Sequence, residues 1–139
     1  MLASVVIPAF NEAQRLGDCL SSLVRQAGNR QEIEIIVVDD GSTDNTPDLV
    51  RRFPGVRLIR QVRQGPATAR NRGAREARGE IVLFTDGDCI PLENWLEEML
   101  ASFHADPDLI GIKGVYITRQ RALTARFVQL EYELSLIHI

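Results

Sequence analysis

IEIIVVDDGS, Ile33–Ser42, runs through five apolar residues in its first six and then breaks into two aspartates, a glycine and a serine. A strand apolar at almost every position must be covered on both faces, which is the habit of a buried parallel sheet. The polar break has the turn chemistry of Asp, Gly and Ser. A buried strand that ends in paired acids is therefore the unit from which the rest of the chain is read.

Similar units lie on both sides. Upstream, SVVIPAF (residues 4–10) opens with β-branched residues and reads as a strand. Asn11 is expected to cap a helix, with Gln14 as its capping-box partner. Leu16, Cys19, Leu20, Leu23, Val24 and Ala27 then recur at helical spacing, and Gly28-Asn29 suits the helix end. Downstream, Thr46-Pro47 reads as N-cap and first residue of a short helix to Phe53. Pro54-Gly55 breaks it, and VRLI (56–59) is a third strand. QGPATARNRGAREARG (64–79) reads as a loop and then a helix, with Pro66 near its first turn and a small-residue face of Ala67, Ala74 and Ala77. EIVLF (80–84) is a fourth strand. A helix over 92–104 groups Trp95, Leu96, Met99, Leu100 and Phe103, LIGIKG (109–114) reads as a fifth strand, and Leu123, Phe127, Leu130 and Leu134 mark a last helix. Strands alternating with helices predict an α/β fold, a mostly parallel sheet with helices on both faces.

Composition sets outer bounds. The chain has 139 residues, 45% apolar and 25% charged, which suits one globular domain with a sizeable core. The formal charge of −3 argues against a dedicated nucleic-acid binder. Cys19 and Cys89 are too few for a disulfide framework or a zinc site, and Cys19 falls on the apolar helix face. No positively charged leader precedes an apolar segment and no apolar run is long enough for a bilayer, so a cytoplasmic location is expected. SLIHI (135–139) stops on apolar residues without a cap or polar tail. That points to a chain truncated at its C-terminus, with one domain over 1–134 and a non-native tail over 135–139. Surface left uncovered by the missing part would favour self-association.

The polar clusters fall on one edge. In a parallel sheet the C-terminal strand ends share a rim, where ligands bind at the point of strand reversal. Asn11 and Glu12, then Asp39 and Asp40, then Gln64, Gly65 and Arg70, then Asp86 and Asp88 follow four successive strands. Asp86 and Asp88, two apart on an extended chain, point the same way and repel unless a cation or proton separates them. Oxygen donors of this kind suit Mg²⁺ or Mn²⁺ held together with substrate phosphates. Gly87 between them gives room and permits positive φ. An exposed acidic turn would read the same in isolation; its place after a buried strand favours the metal. Asp39 or Asp40 could accept a hydrogen bond from a base imide or ribose hydroxyl, or could close an Asx-turn onto residues 41–42. Arg70, early in its helix, suits an anion such as a diphosphate, whereas Arg72, Arg75 and Arg78 read as a solvated face. The segment 60–78 holds six arginines but no aromatic residue to stack on RNA. No GxGxxG, P-loop or Ser-His-Asp arrangement is present.

VVIPAFNE, VVDDGSTDNT, QGPATARNRG and FTDGDC, in this order and spacing, resemble the inverting glycosyltransferases of family 2, which have the GT-A fold. The resemblance implies transfer of a sugar from a nucleotide-diphosphate donor with inversion, assisted by Mn²⁺ or Mg²⁺. It implies that Pro8, Ala9, Asn11 and Glu12 line the nucleoside pocket. Asp40, with Asp39 beside it, would accept from the base N–H, favouring a UDP-sugar, and Arg70 would approach base or diphosphate. Asp86 would lie near ribose and metal, and Asp88 would hold the metal. The general base that inversion requires has no match and is expected beyond residue 139; neither Glu131 nor Glu133 is assigned to it. The acceptor and any membrane segment are expected there too, at the cytoplasmic face. The competing reading is a non-catalytic nucleotide- or RNA-binding α/β module. It predicts salt-dependent RNA binding that does not need Asp88.

Overall fold

The computed structural model describes residues 2–106, 108, 109 and 111. By internal packing the chain divides into two compact units, Met1–Glu98 and Met99–Ile139, and the sheet and the candidate site both belong to the first. In chain order the elements are β1 (Ala3–Ala9), α1 (Leu16–Ala27), β2 (Ile33–Asp39), α2 (Thr46–Arg51), β3 (Val56–Arg60), α3 (Pro66–Glu76), β4 (Ile81–Phe84) and α4 (Trp95–Ala105).

The four strands form one parallel sheet in the order β3-β2-β1-β4. Val5 of β1 aligns with Ile35 of β2 and with Leu83 of β4. The chain steps outward from β1 to β3 and then crosses back to β4. With right-handed crossovers, that reversal puts α3 on the face opposite α1 and α2. Packing agrees: Val6, Ile36, Val38 and Ile59 form one cluster with Ala69 of α3. Val5, Ile7, Ile35 and Val37 face the other way by strand alternation, toward the side of α1 and α2. Every residue of β1 is buried, as the apolar run predicts, and each such Val, Ile or Leu contributes about 1.5–3 kcal/mol by leaving water.

Gly73 brings the backbone of α3 into direct contact with the sheet. A Cβ built there would stand 2.2 Å from Val6 Cγ1. The small-residue face of α3 is centred on Ala69 and Gly73, both buried; of the expected Ala67, Ala74 and Ala77, Ala77 packs against the cluster, Ala74 is half-buried and Ala67 is exposed.

The helix starts also differ from expectation. α1 begins at Leu16, with Arg15 as N-cap and no side-chain cap bond. Asn11 does not cap it: a separate turn, with Arg15 and Leu16 N–H both donating to Glu12 O, intervenes. Asn11 adopts φ 50°, a left-handed conformation that Asn tolerates. α2 starts at Thr46 after Asn45, and the Thr46 hydroxyl is engaged elsewhere. α4 starts at Trp95; Leu92 is exposed, and of the expected apolar face only Leu96 is fully buried. Gly28, at φ 55°, does end α1, and the exposed turn 28–32 leads into β2. The expected strand over 109–114 falls largely outside the described residues, and the last helix, Glu131, Glu133 and the tail 135–139 lie wholly outside them. Among the described residues no helix is long and apolar enough to cross a membrane.

Candidate functional site

The strand reversal between β1 and β4 sets the site. At the C-terminal rim a cleft of about 340 Å³ is lined by Pro8, Ala9, Phe10 and Glu12 after β1, and by Asp40 after β2. Arg63, Gly65, Pro66 and Arg70 follow from β3 and α3, and Asp86, Gly87 and Asp88 from β4. This is the size range of small-molecule sites. Of the residues singled out from sequence, Pro8, Ala9, Glu12, Asp40, Arg70, Asp86 and Asp88 share the cleft. Asn11 and Asp39 do not line it.

Those two build its frame. The Asn11 side-chain oxygen accepts from Thr43 N at 2.8 Å and Asp44 N at 3.3 Å. In return Ser42 Oγ accepts from Asn11 N at 2.9 Å, and Thr46 Oγ1 accepts from Glu12 N at 2.9 Å. The ends of β1 and β2 are thus stitched together side chain to backbone. Asp39, fully buried, closes the Asx-turn: its carboxylate accepts from Ser42 N at 3.4 Å and from Arg60 Nε at 3.2 Å.

Asp40, only 3% exposed, accepts from Gln61 Nε2 at 2.9 Å, Gln64 N at 2.8 Å and Gly65 N at 2.9 Å. Burial opposes its ionisation, but those three donors and the charge of Arg63 outweigh burial and hold the carboxyl below its usual range. At the other end of the cleft Arg70 Nη2 donates to Asp86 Oδ1 at 2.6 Å, and Arg15 Nη1 lies 3.8 Å from Asp88 Oδ2. Glu12 shows the opposite perturbation. Burial first, then the negative charge of Asp88, raises its pKa; Arg15 opposes this, and Asp44 and Asp86 reinforce it. Negative charge accumulates here faster than the two arginines offset it.

Asp86, Asp88 and Cys89 each offer a ligand atom within 4.8 Å of the others. Two carboxylates and the excess negative charge around Glu12 fit a hard divalent cation. Cys89 was not foreseen; the signal for it was its position directly after D-G-D. Its thiol is pushed up to about 11 by burial and by Asp88 and Asp86. Cys19 is a core residue as expected, pushed up to about 12 mainly by burial, with its Sγ 3.7 Å from Asp86 O. Gly87 is not at positive φ; its lack of a side chain serves packing, since a Cβ would lie 3.2 Å from Leu16 Cδ1. Phe10 and Arg63 were missed as well. Arg72 pairs with Glu76 at 3.9 Å and Arg75 is exposed, as a solvated helix face requires.

The sequence model of glycosyl transferase family 2 matches residues 4–132. The chain belongs to that family. Among curated relatives, glycosyltransferase AglE of Haloferax volcanii is 37% identical over 78% of this chain and 38% of its own length. The mannosyltransferase PcManGT of Pyrobaculum calidifontis, solved with GDP-Man and Mn²⁺, superposes with a TM-score of 0.71 at 36% identity, over 77% of this chain and 33% of that one. TarS 1-349 of Staphylococcus aureus, solved with UDP-GlcNAc, gives 0.72 at 28% identity, over 86% and 37%. The fold is accordingly GT-A. The chain spans well under half the length of the curated relatives it matches.

Proposed function

We propose that this chain is the donor-binding part of a metal-dependent, inverting glycosyltransferase that uses a UDP-sugar. The observation that carries the reading is convergence: one cleft at the strand reversal is lined by Asp40 after β2 and by Asp86 and Asp88 after β4. The UDP-GlcNAc and GDP-Man plus Mn²⁺ bound by the two structural neighbours support it.

In this reading Pro8 and Ala9 line the nucleoside end, Glu12 stands beside Gly87 at the acidic end, and Asp40 accepts from the base N–H. Asn11 and Asp39 act through the frame. Asp86 and Asp88 hold Mn²⁺ or Mg²⁺, with Cys89 adjacent, and Arg70 orients Asp86 while facing the diphosphate. The cation, when bound, neutralises charge on the leaving diphosphate. Transfer joins the acceptor oxygen to the anomeric carbon as the carbon–diphosphate bond breaks, and the acceptor proton passes to a base. That base and the acceptor site are assigned to sequence outside the described residues.

Calorimetric titration with UDP tests the donor site. UDP should bind the chain more tightly with Mn²⁺ than without. Asp88→Asn should abolish the difference while leaving metal-free binding in place. Equal affinity with and without metal in the unaltered chain would sink the metal-dependent reading.

A further inference from the structure

The cleft holds two arginines disposed differently. Arg70 is committed to Asp86. Arg63 has no carboxylate within ion-pair distance among the described residues. Its guanidinium carbon instead lies 3.5 Å from the centroid of the Phe10 ring. Such a contact fixes the guanidinium plane at an exposed site while leaving its N–H groups to find acceptors.

The loop is built to deliver it there. Asp40 ties Gln61 on one side of Arg63 and Gln64 and Gly65 on the other. Beneath, Gly41 at φ 77° lets the Arg63 backbone approach; a Cβ on Gly41 would come within 2.9 Å of Arg63 N. Three of roughly four acceptor positions on the Asp40 carboxylate are taken by that anchoring. One remains, on Oδ2, and Asp40 lines the cleft.

Strand order separates the two ends of the cleft. Asp86, Asp88 and Arg70 lie toward β4, whereas Asp40 and Arg63 lie toward β2 and β3. A diphosphate held at the first end leaves the base at the second. There a donor-only guanidinium stands beside a carboxylate with one acceptor position left. That pair matches a base edge carrying a carbonyl next to a ring N–H, as in uracil and guanine. Cytosine and adenine carry an amino group where uracil has its 4-carbonyl and guanine its 6-carbonyl, beside a bare ring nitrogen, so both partners are reversed on that side; the remaining carbonyl of cytosine lies on the far side of that nitrogen.

We propose that Arg63, held flat by Phe10, is a specificity-determining residue that donates to the base carbonyl while Asp40 accepts from the neighbouring ring N–H. The proposal rests on the donor-binding reading above. Titrate UDP, CDP and inorganic pyrophosphate into the chain and into Arg63→Ala and Arg63→Lys, all with saturating Mn²⁺, checking each fold by circular dichroism and melting. The unaltered chain should prefer UDP to CDP. Arg63→Ala should weaken UDP about ten-fold, the scale of one charged hydrogen bond, and leave CDP and pyrophosphate within about two-fold. Lysine, which lacks the planar fork, should not restore the preference. Equal losses for all three ligands would make Arg63 a phosphate contact and overturn the proposal, as would an unchanged UDP affinity or full rescue by lysine. An unaltered chain that binds neither UDP nor CDP would refute the donor reading itself, so the two failures are distinct.

Discussion

At the residue scale, Gly73 shows a position where the absent side chain is the functional one. Helix interiors ordinarily gain from Gly→Ala by about 1 kcal/mol. Here the new methyl would overlap Val6 Cγ1 at 2.2 Å, in the middle of the sheet-facing cluster. Gly73→Ala should therefore destabilise the chain by about 1–3 kcal/mol, the usual range for overpacking, as read by urea denaturation. Because Arg70 lies one turn earlier on the same helix, the variant should also bind UDP more weakly. The sequence offers Ala67, Ala74 and Ala77 as the small-residue face, of which Ala77 does pack against the cluster while Ala67 is exposed. Helical periodicity gives the spacing of a buried stripe, and it does not say which of two adjacent stripes meets the sheet.

At the element scale, the end of the sheet away from the cleft is held by a polar network around Glu34. Its carboxylate accepts from Ser4 Oγ at 2.7 Å, Arg78 N at 3.0 Å and Arg57 Nη1 at 3.4 Å, so it joins β1, β2, β3 and the exit of α3. Burial alone would raise its pKa, yet these donors lower it. A carboxyl whose folded pKa is depressed stabilises the fold above its unfolded value, roughly pH 4, and loses that contribution as pH falls through the folded value. Glu34→Gln should cost about 1–2 kcal/mol at pH 7, and the difference should shrink in denaturation curves taken progressively below roughly pH 4. A gap that persisted unchanged there would rule out the charge as its source. The strands themselves were legible because burial on both faces forces apolar residues at successive positions. The beginning of α1 was not. Asn11 has the right side chain for a cap, but its oxygen is claimed by Thr43 and Asp44, more than thirty residues away. Local pattern cannot reveal a competitor supplied by the neighbouring loop. The same limit hid Arg63, whose importance comes from lying over Phe10.

At the scale of the whole molecule, the sheet should open unevenly. β1 pairs on both sides and is buried throughout, whereas β4 spans four residues and among the described residues pairs only with β1. Amide exchange should be slowest in Val5–Ile7 and Ile35–Val37 and clearly faster in Ile81–Phe84, since local opening follows burial and pairing. Addition of UDP and Mn²⁺ should slow exchange at 85–89 and 61–65 more than at the centre of the sheet. The two edges of the sheet are also finished differently. The cleft edge is laced by side chains, from Asn11 to Thr43 and from Asp40 to Gly65, while the opposite turn after α1, residues 28–32, is exposed at every position. A reporter peptide or fluorophore attachment point engineered into Gly28–Gln31 would lengthen a turn that carries no ligand chemistry, and the molecule could signal donor capture from the far side of its own sheet.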